Sequence, residues 1–313
     1  MRQTSDLTRL TRRNGGITIS RWRSDDQDNS RSCDRKRSGH CRVPIGADVA
    51  RAFAAHLEVL HVHVDATAVA AAMVSDAGVG VGATVIGMVD QIEEDASRRE
   101  AKARQSFQEF CAREQVVLAD TPIAQGVPSA QWLRQMGDQA YWVAELGRSA
   151  DLLVIGRRTD DPGVSVDTIE TALFGSGRPV LISPAAGLAT LPETIVIAWK
   201  PTPEAARAVG AAMPLLSAAK QILIVTVAED QGSLDEEGAR LLTSLRWHGF
   251  NVSMRRLPPG PQGAASTLLA EAAEQAALVV MGAYGNSRLR QWIFGGFTRH
   301  ILRGAEVPVL MMH

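Results

Sequence analysis

The stretch VVMGAYG at residues 279–285 decides how the rest of the chain is interpreted. Its apolar start, over residues 277–281, has the composition of a strand buried on both faces. The run stops at Gly282, and Gly285 follows. Glycines at a strand-to-helix turn permit positive φ angles and let backbone N–H groups approach a ligand closely. A helix that begins at such a turn points free N–H groups outward, which favours an anion such as phosphate.

A second glycine-rich sequence, FGGFT at residues 294–298, continues this segment. Gly282, Gly285 and Gly295 form a G-x2-G-x9-G pattern, which resembles the nucleotide-binding signature of the universal stress protein family. The resemblance implies an adenine-nucleotide site, with ATP as cofactor, at the carboxyl ends of the strands. The residues it places there are Trp199, Lys200, Val227, Met281, Gly282, Gly285, Gly295, Gly296, Phe297 and Thr298.

Length and composition narrow the class of protein. A chain of 313 residues is long enough for two domains. A net charge of −1 gives no basis for binding nucleic acid or a membrane surface. No apolar run approaches the roughly 20 residues of a membrane span, and the first residues lack the apolar core of a secretory signal. We therefore expect a cytoplasmic protein with neither nucleic acid nor membrane as a partner.

Metal binding is not expected from the sequence alone. Cys33, Cys41 and Cys111 are odd in number and widely spread, which implies no disulfide framework. His40 could join the first two in a partial zinc site, but no second close pair of ligands is present, and unliganded thiols are the favoured interpretation.

Two histidines lie two residues apart on a predicted strand. His61 and His63 therefore face the same side, where a metal pair is possible, although histidines satisfied by neighbouring groups are favoured. A long amphipathic helix is predicted over residues 85–113. Its charged residues, among them Glu93 and Glu100, are interpreted as a solvated face.

The two halves of the chain repeat each other. Residues 150–156 align with 276–282, and residues 56–64 align with 220–228. A repeat of this length indicates duplicated domains, and alternating strands and helices predict parallel sheets. The predicted fold is two tandem Rossmann-like open-sheet α/β domains, and the resemblance implies five strands in each. The domains are placed at residues 44–186 and 192–313.

The segment 1–43 does not fit this repeat. Carrying the predicted strand 194–199 back by the offset of 164 between the halves lands on residues 30–35, SRSCDR, which no buried strand would contain. The first domain is therefore expected to lack its first strand. Residues 1–43 are expected to be disordered, with strand character only in Gly16–Ser20. A shifted reading frame or wrong start is the favoured explanation, and an unusual amino-terminal arm is the alternative.

The glycine pattern also departs from the family's. Lys200 stands where the family's first strand usually ends with an aspartate that contacts the adenosine part. Gly296 stands where the third glycine is usually followed by Ser or Thr, with Thr298 two places on. In the first half, Arg157, Arg158 and Thr159 follow Gly156, and no glycine matches Gly285, which makes that half structural. The resemblance thus implies one degenerate nucleotide site, in the second domain.

Three functions remain open at this point. The leading one is a tandem universal-stress-type protein with a regulatory or protective role in the stress response. The alternative is a nucleotide-free interaction or dimerisation module with the same fold. An ATPase or kinase is disfavoured, because neither G-x4-G-K-[ST] nor G-x-S-x-G is present, and we expect no enzyme activity. The closing strands 180–182 and 309–311 are expected to join the two domains, or to join copies in a homo-oligomer.

Overall fold

The computed structural model of this chain describes residues 16–20, 45–69, 71, 82–121, 123, 127–156, 166–184, 191–227, 234–283, 301 and 306–313. The strands are β1 (Gly16–Ser20), β2 (His56–His63), β3 (Val117–Leu118), β4 (Ser129–Met136), β5 (Leu152–Gly156), β6 (Val180–Ser183), β7 (Thr194–Ala198), β8 (Gln221–Val227), β9 (Val252–Leu257), β10 (Leu278–Gly282) and β11 (Val309–Met312). The helices are α1 (Ile45–Phe53), α2 (Gly82–Glu114), α3 (Gln139–Gly147), α4 (Val166–Ser176), α5 (Pro203–Ala218), α6 (Leu234–Trp247) and α7 (Ala264–Glu274).

All of these strands form one 11-stranded sheet in the order β3-β4-β2-β1-β5-β6-β11-β10-β7-β8-β9. Neighbouring strands are parallel throughout, except for the antiparallel pair β6–β11. Strands β4-β2-β1-β5-β6 and β9-β8-β7-β10-β11 have the same topology, and β3 extends the outer edge of the first half. The predicted fold class, tandem α/β domains with parallel-dominated open sheets, is confirmed.

The first half does contain a first strand. Gly16–Ser20 forms β1, which is parallel to both β2 and β5. The predicted absence of this strand is therefore wrong, and so is the predicted disorder for these residues. The remainder of segment 1–43 lies outside the described residues.

Loop length explains why the alignment failed at this strand. In the first half, Ile17 pairs with Leu57, 40 positions later, whereas in the second half Ile195 pairs with Ile222, 27 positions later. A fixed offset therefore searched for the first strand too far along the chain. The shifted-frame explanation loses its premise, because the strand exists at the position where strand character was already visible.

The two halves meet through their closing strands, as predicted. Strands β6 and β11 are antiparallel, and each also pairs with a strand of its own half, β5 or β10. An oligomer built through these two strands would have no free edge to use. The paired residues are Val180 with Met311, Leu181 with Leu310, and Ile182 with Val309. Because the junction is antiparallel, the carboxyl ends of the strands lie on opposite edges of the sheet in the two halves.

Helices cover both faces of this sheet. Helices α1, α2, α5 and α6 pack on one face, and α3, α4 and α7 pack on the other. Successive strand residues alternate between these layers: Ile195 and Ile197 belong to the first, and Val196 to the second. The continuous apolar runs in the sequence follow from this double burial. Within the described residues, no helix is both long enough and apolar enough to span a bilayer.

Candidate functional site

Gly282 ends β10 directly beneath the start of helix α5. A Cβ atom at this position would lie 2.5 Å from the backbone nitrogen of Ala205 and 2.9 Å from Cβ of Glu204. Only glycine permits this close approach of strand and helix. The φ angle of Gly282 is not positive. This glycine is thus required for packing, and the predicted reasons, a positive φ and a phosphate cradle, are not needed to explain it.

The amino-terminal end of α5 is poorly suited to bind an anion. The Thr202 hydroxyl accepts a hydrogen bond from the Ala205 N–H at 3.3 Å, which caps the helix. Pro203, the first helical residue, has no N–H, and Glu204 places a carboxylate in the first turn. Since a carboxylate already offsets the positive end of the helix dipole, a phosphate is disfavoured at this helix.

Three buried polar atoms near this helix start have no hydrogen-bond partner among the described residues. They are Nε1 of Trp199, Oε2 of Glu204 and Oγ1 of Thr226. The other oxygen of Glu204 accepts from Nη2 of Arg207 at 3.1 Å. Leaving such a buried group unpaired costs about 1–3 kcal/mol, so each one requires an explanation.

These atoms share one face of the sheet near its carboxyl edge. Trp199 follows β7, packs on the core beneath α5 and α6, and donates its backbone N–H to the Val225 carbonyl at 2.9 Å. Thr226 is the next-to-last residue of β8, only 1% exposed, and its methyl group faces Gly238 of α6. The arrangement therefore offers an indole donor, a carboxylate acceptor and a hydroxyl that can donate and accept, all in a buried setting.

The other residues that the sequence placed at this site are scattered. Lys200 is exposed, and Val227 packs partly buried on the opposite face of the sheet. The Met281 side chain is buried in the core on that same face, so only its backbone is available to a ligand. The remaining predicted positions, Gly285, Gly295, Gly296, Phe297 and Thr298, lie outside the described residues.

Sequence reasoning missed Glu204, which lies against Gly282, and Thr226, which lies on the strand beside Trp199. Thr226 had a visible signal, because it is the single polar residue inside the apolar run of β8, ILIVTV. Glu204 had a weaker one, as a carboxylate directly after a proline that begins a helix.

A residue of the first half also reaches this edge. The ring of Phe174, on α4, lies edge-on to the ring of His313, with centroids 4.5 Å apart. Nδ1 of His313 lies 3.1 Å from the carbonyl oxygen of Ala283, and Nε of Arg207 donates to the His313 carbonyl at 3.0 Å. The antiparallel junction makes this contact possible, because it places the amino edge of the first half beside the carboxyl edge of the second.

The corresponding edge of the first half is built differently. His63 at the end of β2 is 1% exposed, with Nδ1 at 2.7 Å from Oε2 of Glu100 and Nε2 at 3.0 Å from Oε1 of Glu93. Nε of Arg134 lies 2.9 Å from both oxygens of Glu100. His61 stacks on Trp132, with ring centroids 5.4 Å apart. We call His61, His63, Glu93, Glu100 and Arg134 the histidine cluster.

Burial and neighbouring charges set the protonation of this cluster. Burial lowers the pKa of His61, Glu100 opposes that effect, and His63, Arg134 and Arg99 add to it. Burial alone would raise the pKa of Glu100, but hydrogen bonds from Arg134 and His63 lower it below the usual carboxyl value. At neutral pH, His61 is therefore a neutral imidazole and Glu100 a carboxylate.

The cluster corrects the interpretation of helix α2. The prediction that neighbours satisfy the strand histidines is confirmed for His63. The prediction of a solvated face is wrong for Glu100, whose side chain is 16% exposed, whereas Glu93 is about half exposed and still contacts His63. The two glutamates lie seven residues apart, so both project from the side of the helix that also carries buried Ala96 and Ala103. That regular spacing was the available signal.

Comparison with known proteins gives one family and one fold. The universal stress protein family matches residues 260–313. A universal stress protein from Archaeoglobus fulgidus has a TM-score of 0.63 and 16% identity, over 95% of this chain and 96% of that one. A functionally unknown protein from Pseudomonas aeruginosa PAO1 has a TM-score of 0.53 and 14% identity, over 97% and 94%. At these identities the structures establish a shared fold. No curated protein matches the sequence.

Proposed function

From the family match over residues 260–313 and the fold shared with a two-domain universal stress protein, we propose that this chain is a member of that family and that its second domain binds an adenine nucleotide. The observation that carries the proposal is the set of unpartnered buried atoms on Trp199, Glu204 and Thr226. Adenine amino groups and ribose hydroxyls supply the donors and acceptors that these atoms lack. The protein's role is regulatory or protective in the stress response, and the proposal includes no chemical step.

The charges at the helix start orient the nucleotide. Glu204 repels phosphate, so the nucleoside part binds beside α5 and β8. The phosphates then extend toward the glycine segment at residues 285–298, where the resemblance places them. Glu204 takes the role of the carboxylate that the resemblance expects at position 200, where this chain has a lysine. Loss of one hydrogen bond to a charged group costs about 1.5–3 kcal/mol, which corresponds to roughly ten- to hundredfold in Kd.

Calorimetry with ATP tests this assignment through Glu204→Gln. The substitution keeps the shape of the side chain and can keep an oxygen for Arg207, but it replaces the unpartnered acceptor with an amide donor. Glu193→Gln is the matched control: Glu193 is exposed at the opposite edge of the sheet, where it pairs with Lys220 at 2.7 Å. We expect ATP binding by the native protein and by the control, and at least tenfold weaker binding by Glu204→Gln.

Two results would contradict the proposal. One is no heat from the native protein at millimolar ATP, and the other is equal affinity of native protein and Glu204→Gln. Mass spectrometry of small molecules released from the purified, denatured protein provides an independent measurement. Co-purified ATP or ADP supports the nucleotide site.

A nucleotide-free interaction module is the second candidate, and Gly282 is the observation that favours it. Packing of α5 on this glycine accounts for its presence without any ligand. The exposed Lys200 fits this candidate as well. An empty protein in both the calorimetric and mass-spectrometric measurements would favour this second function.

A further inference from the structure

The histidine cluster brings three potential metal ligands together from two elements. His61 and His63 project from the same side of β2, and Glu100 projects toward them from α2. One ligand atom from each of the three residues lies within 4.8 Å of the others. Around a tetrahedral Zn²⁺ with bonds of about 2.0–2.2 Å, ligand atoms lie roughly 3.3 Å apart. Since His61 is only partly buried, side-chain rotation can close this difference without moving the backbone.

Each of the three candidate ligands is also oriented by a neighbour. Glu93 lies 3.0 Å from Nε2 of His63, which fixes the ring and directs Nδ1 toward Glu100. Arg134 holds both oxygens of Glu100, and Trp132 stacks on His61. A histidine that binds a metal through one ring nitrogen usually donates the other N–H to a carboxylate, and ligating carboxylates are usually hydrogen-bonded themselves. The surroundings of the cluster match both requirements.

We propose that His61, His63 and Glu100 bind a divalent first-row transition-metal ion, with Zn²⁺ as the reference case. Two imidazole nitrogens and one carboxylate oxygen form a ligand set that suits such ions better than Ca²⁺ or Mg²⁺. Nδ1 of His63 and Oε2 of Glu100 lie 2.7 Å apart, and a bound metal ion would replace this hydrogen bond. Three protein ligands leave a fourth position for water or another small ligand. The charge of Arg134 weakens the site without blocking it.

Only the first half carries this arrangement within the described residues. Helix α2 has 33 residues, whereas the corresponding α6 has 14. The longer helix carries Glu93 and Glu100 across β2, where the histidines end the strand. Position 61 corresponds to Thr226 in the second half, one place on from the sequence alignment, because Ile17 pairs with Leu57 as Ile195 pairs with Ile222. Both positions also face an arginine of the neighbouring strand, Arg134 or Arg256. The proposed metal site is thus separate from the proposed nucleotide site.

The test is metal titration of the full chain in a Cys33→Ser, Cys41→Ser background, which removes both thiols of the partial zinc site considered from the sequence. Co²⁺ reports its ligands by visible absorption, and Zn²⁺ should displace it. We expect one equivalent of Co²⁺ in this background and at least tenfold weaker binding after Glu100→Gln. His56→Ala is the matched control, because His56 lies at the amino end of the same strand with Nδ1 at 2.8 Å from Ser129 Oγ.

His61→Phe keeps the fold testable. Its ring can still stack on Trp132, but it offers no nitrogen to a metal. Loss of Co²⁺ absorption in a folded His61→Phe variant, with full binding in His56→Ala, supports the site. The proposal is overturned if one equivalent of Co²⁺ or Zn²⁺ does not bind to the background protein. Binding that survives either His61→Phe or Glu100→Gln unchanged overturns it equally.

Discussion

His61 in the first half and Thr226 in the second occupy the same place in the repeated fold, each opposite an arginine on the next strand. Around His61, hydrogen bonds join His63, Glu93, Glu100 and Arg134, and the one buried atom without a partner among the described residues is Nε1 of the stacked Trp132. Around Thr226, three buried polar atoms have no partner within the described residues. A satisfied cluster needs no ligand to be stable, whereas unsatisfied atoms gain most when a ligand supplies hydrogen bonds. The same backbone fold thus holds one cluster that is stable without a ligand and one set of buried atoms that a ligand would stabilise.

Gly156 ends β5, and Gly282 ends β10, the corresponding strand of the second half. The two glycines differ in their surroundings. A Cβ atom added at Gly156 would meet no atom of the described residues within 4 Å, whereas at Gly282 it would meet the backbone of α5. The cause is the connection after the first strand. Strand β7 ends at residue 198 and α5 begins at 203, whereas β1 ends at 20 and α1 begins at 45. A short connection holds the helix start against the neighbouring strand.

Gly282→Ala is the substitution with the largest expected effect. The new methyl group would lie 2.5 Å from a backbone nitrogen, so the start of α5 must shift. We expect a loss of about 2 kcal/mol in the free energy of unfolding, because overpacking a rigid contact is costly. Gly156→Ala should change the same quantity by less than about 0.5 kcal/mol. Urea denaturation of both variants checks this, and equal effects would refute the packing role of Gly282.

The acid sensitivity of the first half should depend on Glu100. Because its pKa is lowered in the folded protein, the ionised carboxylate stabilises the fold at pH values above the usual carboxyl pKa. That stabilisation is lost as the pH falls through the lowered pKa. At pH 7, Glu100→Gln should cost about 1.5 kcal/mol. The loss of stability relative to the native protein should shrink toward acid pH. Urea unfolding midpoints, measured from neutral to acid pH, check this. The control is Glu94→Gln on the exposed side of α2, which should show neither effect.

Thr226→Val should shift stability and binding in opposite directions. Replacing a buried, unpartnered hydroxyl with a methyl group should raise the free energy of unfolding by about 1 kcal/mol. The same change removes a proposed contact to the nucleoside and should weaken ATP binding. Thermal unfolding without ligand and calorimetry with ATP measure the two effects. A destabilised variant would indicate that the hydroxyl has a partner within the protein.

The last prediction is that the Cys111 thiol does not react with thiol reagents in the folded protein. Burial raises the pKa of this thiol to about 11, so very little thiolate is present near neutral pH. In the Cys33→Ser, Cys41→Ser background, Cys111 is the only thiol and reports on the first half alone. Labelling with a disulfide reagent in urea should coincide with the loss of far-ultraviolet circular dichroism, because the halves share a sheet. Labelling at lower urea would show that the first half opens separately.

Dense apolar runs made most of the fold predictable. Strands β6, β7 and β11 and helix α2 lie where the sequence placed them. Strand β4, SAQWLRQM, was missed because few of its residues prefer strands, and its pairing with β2 and β3 holds it in the sheet. Helix α4 was also missed. Strand β1 was seen as a short apolar segment but was not accepted, because the connection after it is longer than in the second half.

The sites were less predictable, because their chemistry depends on partners far apart in the sequence. Gly282 and Trp199 were identified through the glycine pattern and the family resemblance. Nothing local to His63 indicates that Glu100, 37 residues later, will contact it. The same holds for Glu204, whose significance arises only when α5 settles on β10. Local sequence patterns predict helices and strands, whereas the functional sites depend on how those helices and strands pack together.

The antiparallel junction also bears on how the two halves could come to differ. Leu181 faces Leu310, its own counterpart in the repeat, and the flanking pairs exchange counterparts. This is the arrangement of a twofold-symmetric dimer, in which one surface patch meets itself. In a dimer of identical chains, every substitution is inherited in both copies. When the two copies are joined in a single chain, a substitution in one half no longer appears in the other. One half can then acquire histidines and acids at its strand ends while the other half keeps its glycines.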